Sequence, residues 1–220
     1  MKIIEIHNPP PVEELIARFG RRPYCFILDS AQSNDGLGEW SFFGSNPFKT
    51  VYGNLKDLRK VMQCYTSQSH PIIPFTGGAV GYLSYDYGRY LEKLPELSLD
   101  DRGIPDLEFN LYDGVAALNH KSGVLYLIGH TFIIDADLVI ERIRDIVETP
   151  SKTSVVLSRK GDWIWNLSKQ DFCNAVRRVR EYIASGDVYQ VNLSRRARCL
   201  FEGDPVQLYQ ALRRGNPAPY

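Results

Sequence analysis

The 220-residue sequence carries no excess charge of either sign, since 26 lysines and arginines balance 26 aspartates and glutamates. That balance gives no bulk field to draw in nucleic acid or an anionic membrane. No apolar run approaches the length of a bilayer span, and Met1-Lys2-Ile3-Ile4-Glu5-Ile6-His7 has neither the hydrophobic stretch nor the cleavage site of a secretory signal. Cysteine is sparse. Cys25, Cys64, Cys173 and Cys199 stand apart with no C-x-x-C spacing, which argues against a zinc site or a disulfide framework and for a reducing cytoplasm. His7, His70, His120 and His130 are equally scattered and are read as solvated or locally hydrogen-bonded. The glycine-rich stretch Gly77-Gly78-Ala79-Val80-Gly81 lacks the Lys-Ser or Lys-Thr ending of a phosphate loop and has no dinucleotide spacing. Its glycines are therefore expected to admit a close backbone neighbour or a bulge. Internal repeats and low-complexity tracts are absent as well.

What is present is an ordinary globular composition, 44% apolar and 24% charged, in a chain long enough for one large or two small domains. Val12 to Phe19 has Leu15, Ile16 and Phe19 at helical spacing, acids in its first turn and Gly20 at its end. Tyr24 to Leu28 is a short buried strand delivering Asp29 and Ser30. Ala31 to Gly38 is a loop, and Trp40 to Gly44 resumes an extended pattern. Leu55 to Tyr65 is a helix with Leu58, Val61 and Met62 inward, Ser67 to Pro71 a connection, and Tyr85, Asp86 and Arg89 a local ionic cluster. Asp106 to Asp113 is extended, and Gly114 to Asn119 with Val124 to Gly129 forms a hairpin. Asp135 starts a helix whose apolar stripe is Leu138, Val139, Ile143, Ile146 and Val147.

The segment rich in Ser, Thr and Lys after Thr149 reads as a boundary, giving an amino-terminal domain over 1–150, a linker over 151–167 and the start of a second domain over 168–220. There Ser168 caps a helix that buries Phe172, Val176, Val179, Tyr182 and Ile183, and Asp204-Pro205 opens another with Leu208, Ala211 and Leu212 inward before Gly215. Between them, Ser185-Gly186-Asp187 closes the first helix and Val188 to Leu193 alternates as a strand should, with Gln190 and Asn192 on one face. Two amides in an apolar strand must be fully hydrogen-bonded or look into a polar cavity. Hairpins and peripheral helices without a repeating strand-helix-strand rhythm imply an α+β layered fold of largely antiparallel sheets.

Gly186-Asp187-Val188-Tyr189-Gln190-Val191-Asn192-Leu193-Ser194-Arg195-Arg196 resembles the opening of the chorismate-binding domain in the family of anthranilate synthase component I and aminodeoxychorismate synthase component I. Phe75 to Arg89 is similar to that family's F-x-G-G-x-x-G-x-x-x-Y-D segment, followed by a fitting Leu94-Pro95, and Asn216-Pro217-Ala218-Pro219-Tyr220 matches as well. The resemblance runs from about Tyr24 to Tyr220. It implies two stacked sheets flanked by helices, chemistry on chorismate with Mg2+ held by glutamates, and ammonia from a glutamine amidotransferase partner. It also implies a pocket for an amino-acid effector or a bound tryptophan, lined by Ser30, Leu37, Gly38, Glu39, Trp40, Pro219 and Tyr220, with Gln190 and Asn192 on a substrate-cavity wall.

The family's catalytic acid, P-I-K-G-T lysine and magnesium glutamates have no counterpart in these 220 residues, so a portion that lacks the catalytic part, inactive alone, is expected. Tyr189 to Leu193 is closer in wording to aminodeoxychorismate synthase, on the route to p-aminobenzoate and folate, than to anthranilate synthase. At the effector pocket, Ile27-Leu28-Asp29-Ser30 departs from the Leu-Leu-Glu-Ser common in anthranilate synthases, which counts against regulation by tryptophan. A non-catalytic module that binds an effector or the amidotransferase is the alternative of a different class.

Overall fold

The computed structural model describes residues 1–32, 36–66, 69–96, 100–151 and 158–220. Parts of the loop at 31–38, the connection at 67–71 and the linker at 151–167 therefore lie outside the described residues. Contacts divide the chain into one unit of Met1–Thr153 with Tyr209–Tyr220 and another of Ser154–Leu208.

The first unit is built on two antiparallel sheets. Its larger sheet has the order β1-β8-β7-β3-β2, from β1 (Lys2–Ile6), β2 (Phe26–Leu28), β3 (Trp40–Gly44), β7 (Gly114–Asn119) and β8 (Leu125–Gly129). The smaller has the order β4-β6-β5, from β4 (Lys49–Tyr52), β5 (Gly78–Leu83) and β6 (Leu107–Tyr112). Helices α1 (Val12–Phe19) and α3 (Ala136–Glu148) cover the outer face of the larger sheet, where Phe19 and Phe43 rings meet at 5.6 Å. Helix α2 (Leu55–Cys64) and a 3-10 turn (Tyr85–Tyr90) cover the outer face of the smaller one through Val51, Leu58, Tyr87, Leu107 and Leu111. Between the sheets lies a second core of Phe26, Phe42, Ile73, Tyr112, Val115, Ala117 and Ile128. Helix, sheet, sheet, helix is the layering, and the α+β expectation with antiparallel sheets holds.

Local chemistry explains most element boundaries. Asn54 and Asp135 accept backbone N–H bonds at the starts of α2 and α3, as N-cap residues do. The hairpin turns where the Asn119 side-chain oxygen accepts from the amides of Lys121 and Ser122. Asp86 and Arg89 pair at 3.1 Å within the 3-10 turn. Two glycines set how closely α3 approaches the sheet. Gly114 and Gly129 sit opposite each other across β7 and β8, and a Cβ on either would meet α3 at 2.6 Å. Two inward assignments fail. Met62 and Leu138 are exposed, and Ile140 is buried in Leu138's place, because each helix presents a narrower face to its sheet than its apolar stripe is wide.

The second unit contains β9 (Ser158–Trp165), α4 (Lys169–Ser185) and β10 (Ala197–Glu202), and α5 (Pro205–Gly215) passes from it into the first unit at Tyr209. Ser168 caps α4 by accepting from the Asp171 amide, and Gly186 closes it at φ +82° with the Asp187 amide bonded back to the Tyr182 carbonyl. Three readings are corrected here. The strand expected at Val188–Leu193 does not form; the strand is β10, because its ladder partner β9 aligns with 197–202. That partner itself falls inside the stretch read as linker. The apolar face of α4 is not buried either: no residue of that helix is, since a two-stranded sheet and one helix cannot enclose a core. Leu208 and Leu212 are likewise exposed.

Two measurements follow from the packing. A Cβ at Gly81 would sit 2.0 Å from the Glu108 carbonyl oxygen and 2.6 Å from Phe109 Cα, both backbone atoms of the partner strand. Gly81→Ala is expected to lower stability in urea unfolding by roughly 1–3 kcal/mol, the cost of an overpacked interior. His130 is buried, its ring stacked on Phe132 at 4.7 Å and its Nε2–H donated to the Thr76 carbonyl at 2.9 Å. Burial pushes its pKa below the ordinary 6.5, against the pull of the Thr76 carbonyl. As pH falls below 6.5, the unfolded chain takes up a proton the folded chain refuses, so stability drops on acidification. Urea midpoints measured across that window should slope less in His130→Gln than in the parent.

Candidate functional site

Strand β2, at the edge of the larger sheet, leads into Asp29 and Ser30, and β3 brings the chain back at Trp40. The return crosses over Gly38, which has φ +76° and whose added Cβ would strike the Gln32 carbonyl oxygen at 2.2 Å. Only glycine fits a backbone so close. Behind this crossing the sheets leave a cavity of about 800 Å³. The larger sheet contributes Leu28, Trp40 and Phe42, and the smaller one Ala79, Val80, Gly81 and Phe109, with Pro74 and Phe75 beside them. The walls are mostly aromatic and aliphatic. Trp40 stacks on Phe42 at 6.1 Å, and Phe42 meets Phe75 and Tyr220 edge to face at 5.7 and 6.4 Å. A volume of this size with apolar walls and a few polar groups at one end suits a flat aromatic or similar small molecule.

Next to Leu28 of the wall, but outside the cavity lining, lies a buried carboxylate. The Asp29 side chain is 1% exposed and receives Arg213 Nε at 2.6 Å, the Tyr209 hydroxyl at 2.9 Å and the Ser41 hydroxyl at 3.2 Å. Removing one partner of such a buried pair typically costs about 3–5 kcal/mol. Burial alone would push the Arg213 guanidinium pKa down, but the Asp29 carboxylate raises it above its ordinary value. The Tyr209 phenol is pushed up to about 12 by burial and then by its bond to Asp29. Ser41 also accepts from the Ser30 amide and lies 2.8 Å from His120 Nε2. Serine, histidine and aspartate thus meet in one place, but Ser41 is 0% exposed and its hydroxyl donates to the carboxylate, so the cluster holds structure and offers no nucleophile.

This cluster ties down the segment after α5. Gln210 and Arg213 bond to Glu13, the Ala31 amide donates to the Ala218 carbonyl at 2.9 Å, and the Tyr220 amide donates to Ser30 Oγ at 3.0 Å. Ser30 passes its own proton to the Trp40 carbonyl at 2.7 Å. Of the residues assigned to the effector pocket, Leu37, Gly38, Glu39, Trp40 and Tyr220 line the cavity. Ser30 stands directly behind it, bonded to two of the lining residues, and Pro219 lies against Gly38. Gln190 and Asn192 are elsewhere, exposed in the second unit. The sequence reading missed Phe42, Phe75, Val80 and Phe109 as walls and the Asp29, Tyr209 and Arg213 contacts; no spacing rule relates residue 29 to residue 213. Among the described residues no group of three or more His, Cys, Asp or Glu is placed to hold a metal ion. None of the described helices is long and apolar enough to cross a membrane.

The family model described as chorismate binding enzyme matches residues 26–220. Aminodeoxychorismate synthase component 1 of Bacillus subtilis (strain 168) is 36% identical over 93% of this chain and 45% of its own length. Anthranilate synthase component 1 of Acetivibrio thermocellus is 32% identical over 94% of this chain and 49% of its own. The chain thus spans about half the length of the curated relatives it matches. The crystal structure of anthranilate synthase component I from Streptococcus pneumoniae TIGR4 superposes with a TM-score of 0.70, 23% identity and coverage of 86% of this chain and 48% of that one. That likeness establishes the shared fold.

Gly38→Val tests the crossing that closes the cavity. The added side chain would meet the Gln32 carbonyl in a left-handed backbone. Loss of roughly 1–3 kcal/mol in stability is expected, together with altered quenching of Trp40 fluorescence by acrylamide in a Trp163→Phe/Trp165→Phe background. Unchanged quenching would mean the crossing does not shape the cavity.

Proposed function

The chain belongs to the chorismate binding enzyme family, and from that premise we propose that it is the amino-terminal portion of an aminodeoxychorismate synthase component I. The complete enzyme would aminate chorismate to 4-amino-4-deoxychorismate in the cytoplasm, using ammonia from a glutamine amidotransferase subunit and a Mg2+ ion whose ligands lie outside these 220 residues. Relatives of both synthase names match over the same stretch. The choice between them rests on the wording of Tyr189–Leu193. Anthranilate synthase component I is the second reading, supported by relatives of that name such as the one from Acetivibrio thermocellus.

One observation carries the view that these residues do not suffice for catalysis. Helix α4 has no buried residue, and Gln190 and Asn192 stand in solvent. Electrostatic stabilisation of a reacting dianion requires donors fixed in a water-excluded site, and an uncovered helix and a two-stranded sheet cannot exclude water. The cavity between the sheets serves a different purpose in this reading. Its apolar walls accept an indole and Glu39 stands in the same lining, so it is assigned to an amino-acid effector, with tryptophan as the candidate.

Purified chain incubated with chorismate, Mg2+ and ammonia is expected to form neither 4-amino-4-deoxychorismate nor anthranilate by chromatography; formation of either by contaminant-free protein would overturn the incompleteness. Disruption of the gene in its own organism should create a requirement for p-aminobenzoate. A tryptophan requirement instead would assign the second reading, and no requirement at all would defeat both. Calorimetric titration with tryptophan should give saturable binding.

A further inference from the structure

The face of β6 that packs Tyr112 between the sheets also carries Asn110 and Glu108, and Glu108 is half-buried. Strand pairing sets Tyr52 of β4 and Tyr82 of β5 directly opposite Glu108, one on each side, and both tyrosines are exposed. Paired strands lie about 5 Å apart, so the two tyrosines stand roughly 10 Å from each other with the carboxylate between them. Tyr24 joins them from the turn before β2. Its backbone is left-handed at φ +47°, uncommon for so bulky a residue, and is held there by the Tyr112 hydroxyl donating to its carbonyl at 2.6 Å and the Asn46 amide donating to the Pro23 carbonyl at 3.1 Å. The Tyr52 and Tyr82 phenols both sit above their ordinary pKa, first through lost hydration and next through the Glu108 charge, and Tyr24 adds to the effect at Tyr52. Glu108 itself meets no cation. Its Oε1 accepts from Asn110 Nδ2 at 3.3 Å, and among the described residues no lysine, arginine or histidine is paired with it. A half-buried carboxylate beside three phenols has lost hydration without gaining a counter-charge.

We propose that Tyr24, Tyr52 and Tyr82 around Glu108 form a binding site for a small quaternary ammonium ion of the choline type. A cation seated midway between Tyr52 and Tyr82 would lie about 5 Å from each, inside the roughly 6 Å over which an aromatic ring attracts a cation. Glu108 supplies the opposite charge. A head without N–H groups fits better than a primary ammonium, because the Asn110 oxygen is already taken by Thr50 Oγ1 at 2.6 Å and cannot accept from a guest. This site goes beyond the chorismate reading and does not depend on it, since the four residues share no position with the lining of the 800 Å³ cavity.

Calorimetric titration of the chain with choline chloride, at an ionic strength held constant with sodium chloride, should show saturable binding. Its neutral isostere 3,3-dimethyl-1-butanol should show none, and glycine betaine, whose carboxylate Glu108 repels, should bind more weakly than choline. Glu108→Gln and Tyr52→Leu should each weaken choline binding on the order of tenfold. Tyr24→Gly removes one ring where glycine suits the left-handed backbone, so it should weaken binding in a folded chain and decides the matter if the strand variants do not fold. No saturable choline binding by the parent chain would overturn the proposal. So would undiminished affinity in the folded variants, or the neutral alcohol or betaine binding as tightly as choline.

Discussion

A carboxylate taken almost wholly out of water must be paired, and the way Asp29 is paired organises the first unit around its candidate site. Arg213 and Tyr209 come from the last helix, Ser41 from the middle of the larger sheet, and Glu13 from the first helix shares the guanidinium at 3.1 Å. Desolvation raises the stakes of each contact: losing Arg213 would strand the Asp29 charge, and losing Tyr209 or Ser41 would take a hydrogen bond from a carboxylate with almost no access to water. Elements about 200 residues apart in sequence are thereby brought together. The cavity wall that Tyr220 supplies is a by-product of that electrostatic requirement.

The cavity itself comes from a mismatch between the sheets. Where Tyr112, Phe26 and Phe75 interlock, the rings meet edge to face at 4.7 and 6.0 Å and fill the space. Further along, β5 offers Ala79, Val80 and Gly81 against Leu28 and Trp40, and the small side chains cannot span the gap. Gly81 cannot be enlarged to fill it because its partner strand runs too close. Small residues chosen for strand pairing thus leave room for a guest. On the other face, the paired Gly114 and Gly129 do the opposite, letting α3 sink onto the sheet with no space left.

The second unit follows another logic. Its α4 is correctly capped at both ends and carries an apolar stripe, yet that stripe meets water, as do Trp163, Ile164, Leu200 and Phe201 on the two-stranded sheet. Arg195 lies 3.8 Å over the Trp165 ring, a local contact that shields part of one indole. Such surfaces are typical of a layer awaiting a partner layer, which agrees with a chain spanning about half the length of its curated relatives.

Elements whose cause is local were legible in the sequence. The bounds of α1 and β3, the capping of α3 and α4, the hairpin turn and the close approach at Gly81 all follow from residues within a few positions or from one missing side chain. The resemblance carried by Phe75–Arg89 and Gly186–Arg196 pointed to the family, and five of the seven pocket residues it implied do line one cavity. The outward turn of Leu138 and Met62 and the displacement of the strand from 188–193 to 197–202 were not legible. An alternating pattern says that a strand is possible, whereas a ladder needs a second strand in register, and which residues find one is settled by the fold. Sequence alone thus determined the helices, their caps and the family. Only tertiary structure joined Asp29 to Arg213, since a buried charge takes its partner from whatever the folded chain brings within reach, however far along the chain that partner lies.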